Sequence, residues 1–140
     1  MMLNTWQRQE KLKRRFTLPN ELFSLGLNAN GISVYAYLLY CEDRKTYQCW
    51  PSYNKISRAV DLSPKTVKKY VSELVDKGLI STENTTITTK KGVKRNGSLR
   101  YTIRPIKEAV ELYHQRQLRQ LELDTVRWNA QKAAAEKKAG

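Results

Sequence analysis

The stretch SYNKISRAVDLSPKTVKKYVSELVDKG, Ser52 to Gly78, decides how this chain folds. Ile56, Ala59, Val60 and Leu62 recur at helical spacing and then stop. Ser63-Pro64 opens a second helix, with a capping hydroxyl followed by proline at the first helical position. Val67, Val71 and Leu74 at i, i+4, i+7 give that helix one apolar face, and Gly78 supplies a residue that takes the left-handed conformation closing it. The opposite face carries Lys65, Thr66, Lys68, Lys69 and Ser72, cations and hydroxyls suited to phosphates and base edges. An ordinary amphipathic helix pair with a solvated charged face has the same pattern, so the flanking sequence must decide between them.

Charge is the first such flank. The net charge is +13, and residues 63 to 104 hold ten cations against three anions, whereas residues 16 to 62 balance at four and four. Residues 1 to 15 add five cations against one anion, and residues 105 to 140 add seven against five. A polyanion is the expected partner, because each phosphate neutralised releases condensed counterions. The cations belong to a helix, a hairpin and a loop rather than to one basic amphipathic helix, which argues against a membrane surface. No apolar run nears the roughly 20 residues that cross a bilayer, and no secretory signal precedes the domain, so a soluble, cytoplasmic protein is expected.

Upstream, Met1 to Arg15 is a polar, basic N-terminal arm, either of the kind that enters a minor groove or a solubilising charge run. Phe16-Thr17-Leu18 reads as a short strand, and Pro19 starts a helical turn burying Leu22, Phe23 and Leu25 before Gly26 breaks it. After Asn28, Ile32, Val34, Tyr35, Leu38, Leu39 and Cys41 mark a buried scaffold helix. Glu42 to Tyr47 is a charged loop. Cys49-Trp50-Pro51-Ser52 then leads into the first helix of the pair, with Trp50 as a core anchor and Ser52 as cap. Ser52, Tyr53 and Lys55 lie where that helix can touch DNA backbone.

Downstream, Leu79-Ile80 returns to the core, and threonine-rich Thr82 to Thr89 favours strand. Leu99, Tyr101 and Ile103 alternate with Arg100, Thr102 and Arg104, the period of a strand with one buried face. Between the strands lies the basic tip 90–98, offering Lys90, Lys91, Lys94, Arg95 and Asn96 to a nucleic acid, either with Asn96-Gly97 as a two-residue turn or as a looser loop. From Pro105 onward the period is helical, with one stripe of Ile106, Val110, Tyr113, Leu121 and Trp128 and a weaker stripe of Leu112, Leu123 and Val126 nearly opposite. Two stripes suit two surfaces, of which a second copy is the simplest supply; the alternative is a helix packed back on its own domain.

The residues Phe16, Leu18-Pro19, Phe23, Gly26-Leu27, Val34-Tyr35, Leu38, Cys49-Trp50-Pro51-Ser52, Ile56, Ser63, Thr66-Val67, Leu74, Gly78-Leu79-Ile80 and Tyr101 carry a resemblance. Residues 16 to 104 resemble the winged helix-turn-helix domain of bacterial, plasmid and phage regulators and replication-initiator proteins. The resemblance implies a mainly α fold with a small β-hairpin wing, followed here by a long C-terminal helix over 105–140. It implies that Ser63, Lys65, Thr66, Lys68 and Lys69 enter the major groove while the wing touches backbone or minor groove. Asp61 stands at a turn position often held by glycine. The recognition helix has lysines where relatives often have arginine, and lysine reads a base less specifically than a bidentate guanidinium does.

Catalysis lacks its ingredients in the sequence. His114 is the lone histidine, no Gly-rich phosphate loop occurs, and Cys41 and Cys49 lack metal-site spacing, so no enzyme, metal or cofactor is expected. No ligand-sensing domain follows the wing. The expected function is a double-stranded DNA-binding transcriptional regulator of bacterial or mobile-element origin, a homodimer through its C-terminal helix. The alternatives are a replication-initiation or partition accessory protein, whose C-terminal helix recruits a replication protein, and a protein-binding winged helix.

Overall fold

Capping and helix-stop residues place the elements of the computed structural model, which describes residues 15–139. The N-terminal arm therefore lies outside the described residues except for Arg15. Asn28 caps α1 (Ala29–Cys41), its Oδ1 accepting from Gly31 N at 2.9 Å. Its amide also donates to the Tyr70 hydroxyl at 3.0 Å, so one side chain both starts this helix and ties it to the recognition helix. Ser52 caps α2 (Tyr53–Val60) through Lys55 N, and Ser63 caps α3 (Pro64–Asp76) through Thr66 N, with proline at the first helical position. Asp61 takes the left-handed conformation between them, at φ 56°. Gly78 does the same after α3, at φ 76°. Both turns follow from residues that tolerate positive φ.

These helices enclose a core of Leu22, Leu25, Val34, Tyr35, Leu38, Ile56, Val67, Tyr70, Val71, Leu74, Leu79, Ile80 and Tyr101. The floor is a three-stranded antiparallel sheet in the order β1 (Gln48–Cys49), β5 (Arg100–Ile103), β2 (Ile80–Glu83). Cys49 pairs with Tyr101, and Thr82 pairs with Tyr101 from the other side. The wing is a separate hairpin of β3 (Thr86–Thr88) and β4 (Lys94–Asn96), in the register Thr86 with Asn96, Ile87 with Arg95 and Thr88 with Lys94. Helix α4 (Ile106–Ala139) follows.

Several sequence expectations are corrected. Phe16-Thr17-Leu18 is irregular rather than a strand, and the strand that pairs with β5 is instead Gln48–Cys49. The turn after Pro19 is a 3₁₀ helix, Asn20–Ser24, which buries Leu22 but leaves Phe23 72% exposed, because only one side of so short a turn meets the core. Trp50 is 51% exposed and anchors nothing; the buried residues of that segment are Cys49 and Pro51. Thr82 to Thr89 is two strands with a break at Asn84-Thr85. Asn96-Gly97 is not the hairpin turn. Reversal occurs over Thr89 to Val93, closed by Thr89 N donating to Val93 O and Gly92 N to Thr89 O, both at 2.9 Å. Gly92 there has φ 76°.

Gly97 has another task. Its N–H donates to Thr85 O at 2.8 Å, and a Cβ built on it would stand 2.6 Å from Thr85 Oγ1. The two halves of the wing approach so closely at this break that only glycine fits.

Helix α4 crosses the domain through its first turns. Ala109 is buried, Tyr113 reaches Gly26, and Arg116 bridges to Asp76 at 3.1 Å. From His114 to Lys138 every side chain is exposed. No helix among the described residues is long and apolar enough to cross a membrane.

Candidate nucleic-acid interface

The recognition helix packs Val67, Tyr70, Val71 and Leu74 inward, and this fixes which side chains remain outside. Lys65, Thr66, Lys68, Lys69 and Ser72 together line one shallow surface depression, as their spacing predicts. No ion pair among the described residues engages the three lysines. Lys69 Nζ lies 5.4 Å from the centre of the Tyr70 ring, a cation–π contact that steadies a long side chain. Ser63 is occupied by capping, with its Oγ 3.2 Å from Thr66 N and 2.8 Å from Thr66 Oγ1. Ser63 and Thr66 thus reach outward as a hydrogen-bonded pair.

A groove of about 790 Å³ joins this helix to the wing. Its lining includes Ser52, Tyr53 and Asn54 from α2, Pro64 and Lys68 from α3, and Asn84, Asn96 and Ser98 from the base of the wing. The N-termini of α2 and α3 both border it, and helix N-termini present unpaired N–H groups and positive partial charge. With the Lys68 ammonium added, the groove is chemically suited to a phosphate chain. Tyr53 has a second role: it packs partly against the core, and burial raises its hydroxyl pKa.

The wing sorts its own cations. Paired residues of adjacent strands share a face, and faces alternate along each strand. Asn96 lines the groove, so Lys94, two residues before it, stands on the same face, while Arg95 shares the other face with Ile87. Lys90 and Lys91 sit at the exposed tip. Lys55 does not join the groove; it lines a neighbouring hollow with Trp50 and Gln48 that Ser52 also borders.

Sequence reasoning missed Asn54, Asn84 and Ser98. Asn84 and Ser98 mark the break between the two sheets, which no period in the threonine-rich run signals. Asn54 followed the cap without any feature of its own.

Residues 25–80 match the family model described as a helix-turn-helix domain. The strands after them form the wing that the sequence resemblance implied. The chain carries a winged helix-turn-helix domain.

Solved structures similar to it are themselves mostly regulators by title. A possible transcriptional regulator from Methanosarcina mazei Go1 is 19% identical, with 76% of this chain and 82% of that chain covered at a TM-score of 0.48. The zinc-responsive MarR family member ZitR of Lactococcus lactis is 13% identical, with 91% and 77% covered at 0.43. The S. aureus MepR–DNA complex is 14% identical, with 94% and 93% covered at 0.39. At these identities and scores the likeness fixes neither a ligand nor a DNA target for this winged helix-turn-helix domain. No curated protein sequence matches the chain. Among the described residues no cluster of His, Cys, Asp and Glu could hold a metal ion.

Proposed function

We propose that this protein is a double-stranded DNA-binding transcriptional regulator of bacterial or mobile-element origin. Helix α3 enters the major groove through Ser63, Lys65, Thr66, Lys68, Lys69 and Ser72. Ser52 and Tyr53 hold backbone phosphate across the groove, with Lys55 beside them, and the wing meets backbone or minor groove with Lys94 and Asn96 turned inward and Lys90 and Lys91 at its tip. The observation that carries this reading is the groove in which two helix N-termini, Lys68 and the base of the wing converge. It has the polarity of an anion site and the breadth of a strand of nucleic acid.

Duplex binding measured across salt concentrations tests the reading. Each phosphate neutralised contributes about 0.9 to the log–log slope. Lys68→Ala is expected to weaken binding and flatten the slope by about 1. Binding that is indifferent to salt, or a Lys68→Ala protein with wild-type affinity and slope, rejects the assignment.

Two copies act together through α4. Leu118, Leu121 and Trp128 are exposed on one side of its distal half, and Leu123 and Val126 on another, which supports an intermolecular contact. A replication or partition accessory would use the same exposed helix to recruit a different protein, and capture of a replication protein by the full chain, with no self-association, favours that role.

A further inference from the structure

A second concavity, of about 640 Å³, forms inside the domain rather than after the wing. It lies between the segment Thr17–Pro19, the end of α1, the loop before β1, strand β5 and the first turn of α4, and no residue assigned to DNA borders it. Leu39, Ile103 and Ile106 give it apolar walls. Volumes of this order hold small organic molecules.

One polar group in the lining is unsatisfied. Glu42 Oε2 is buried and accepts no hydrogen bond from any described residue. The nearby guanidinium groups are committed elsewhere: Arg104 makes two bonds to Glu108, at 2.9 and 3.1 Å, and Arg44 donates to Arg15 O at 2.7 Å. Tyr35 and Tyr47 complete the ionisable groups around the cleft. Burial, and secondarily the Glu42 charge, push the Tyr35 hydroxyl up to about 12, so it stays protonated. The wall is also fixed in shape. Tyr47 holds φ 59°, donates from N to Asp43 O at 2.7 Å and accepts from Ile103 N at 2.9 Å.

We propose that this cleft binds a small apolar organic cation, a primary amine on an aromatic or branched aliphatic body, with its ammonium on Glu42 and its body against Leu39, Ile103 and Ile106. A buried carboxylate oxygen without a donor is costly, and an ammonium supplies both the donor and the opposite charge. A bare metal ion fits poorly, since Glu42 is the single carboxylate of the lining and hard cations take several oxygen ligands. An anion meets the wrong charge. The bound amine bridges α1, β5 and the start of α4, the junction through which the long helix leaves the domain.

The test needs no DNA, so it stands or falls apart from the proposed function. Titration calorimetry of the full chain compares phenethylamine with its neutral counterpart 2-phenylethanol near neutral pH. The amine is expected to bind at least about tenfold more tightly, and Glu42→Gln to abolish that preference. Thr17→Trp, an exposed rim position whose new side chain obstructs the mouth, is expected to weaken amine binding with Glu42 intact. Equal binding of amine and alcohol, no amine binding up to about 10 mM, or a preference that survives Glu42→Gln overturns the site.

Discussion

At the scale of single residues, the side chains that terminate and reverse helices are the ones whose roles are readable in advance. Ser52 and Ser63 cap, and Asp61 and Gly78 turn left-handed, because these tasks depend on local chemistry alone. Glu42 is the opposite case. Its sequence neighbours suggest a surface loop, yet burial raises its carboxyl above the ordinary value, with Arg44 opposing the shift. The consequence for stability has a definite sign. A carboxyl with a raised folded-state pKa costs nothing at low pH, where it is protonated folded or unfolded. Its penalty develops as pH rises through the window above the ordinary value and is complete once the folded value is passed. Glu42→Gln removes the ionisation, so it is predicted to raise the melting temperature near neutral pH by a few degrees, about 1 kcal/mol or less, and to lose that advantage near pH 3. Thermal unfolding followed by circular dichroism at the two pH values checks this. The same difference at both would mean that desolvation of the charge is not what Glu42 contributes.

At the scale of elements, the helix pair was legible because helical period, cap and stop all agree from Ser52 to Gly78. The wing was legible only as a basic hairpin. Its register depends on the meeting of Thr85 and Gly97, a contact between residues twelve apart that leaves no local trace beyond a glycine equally suited to a turn. Phe23 and Trp50 were misplaced for a related reason: hydrophobic type says what could be buried, and the neighbouring backbone decides whether it is. The close approach at Gly97 makes a prediction. In Gly97→Ala the new Cβ must displace Thr85, so β3 and β4 lose their alignment with β2 and β5, while the helical core is untouched. Duplex affinity is expected to fall several-fold, with melting temperature changed by only a few degrees and amide chemical shifts perturbed chiefly over 84–99. Unchanged affinity would show that the wing does not need this alignment to meet DNA, and a collapse of stability would show that the wing base supports the core.

At the scale of the whole molecule, the open question is what α4 meets beyond its own domain. Sequence period located the helix, but both apolar stripes were expected to find cover, and the described chain covers only the near end: Ala109, with Leu112 and Tyr113 half-buried, then the Arg116–Asp76 ion pair. Past Arg116 the helix continues for roughly 35 Å at 1.5 Å per residue, with Leu121 and Trp128 62% and 61% exposed. A helix this long with large apolar side chains in water is stable by local propensity at best, and a second helix alongside would remove them from solvent at about 25 cal/mol for each Å² of apolar surface. Two copies joined this way present two recognition helices. The target is then two half-sites in a symmetric arrangement, and each copy's lysines need less base specificity because the spacing between half-sites adds discrimination. Sedimentation equilibrium of the full chain is therefore predicted to give a dimer at micromolar concentration, and Leu121→Glu with Trp128→Glu a monomer. Since neither side chain touches the domain core, the doubly substituted protein keeps a folded winged helix-turn-helix by circular dichroism and retains weak binding to a single half-site, while losing the tight binding to a paired site. A wild-type chain that sediments as a monomer at tens of micromolar, or a double variant that remains dimeric, removes α4 from the dimer interface.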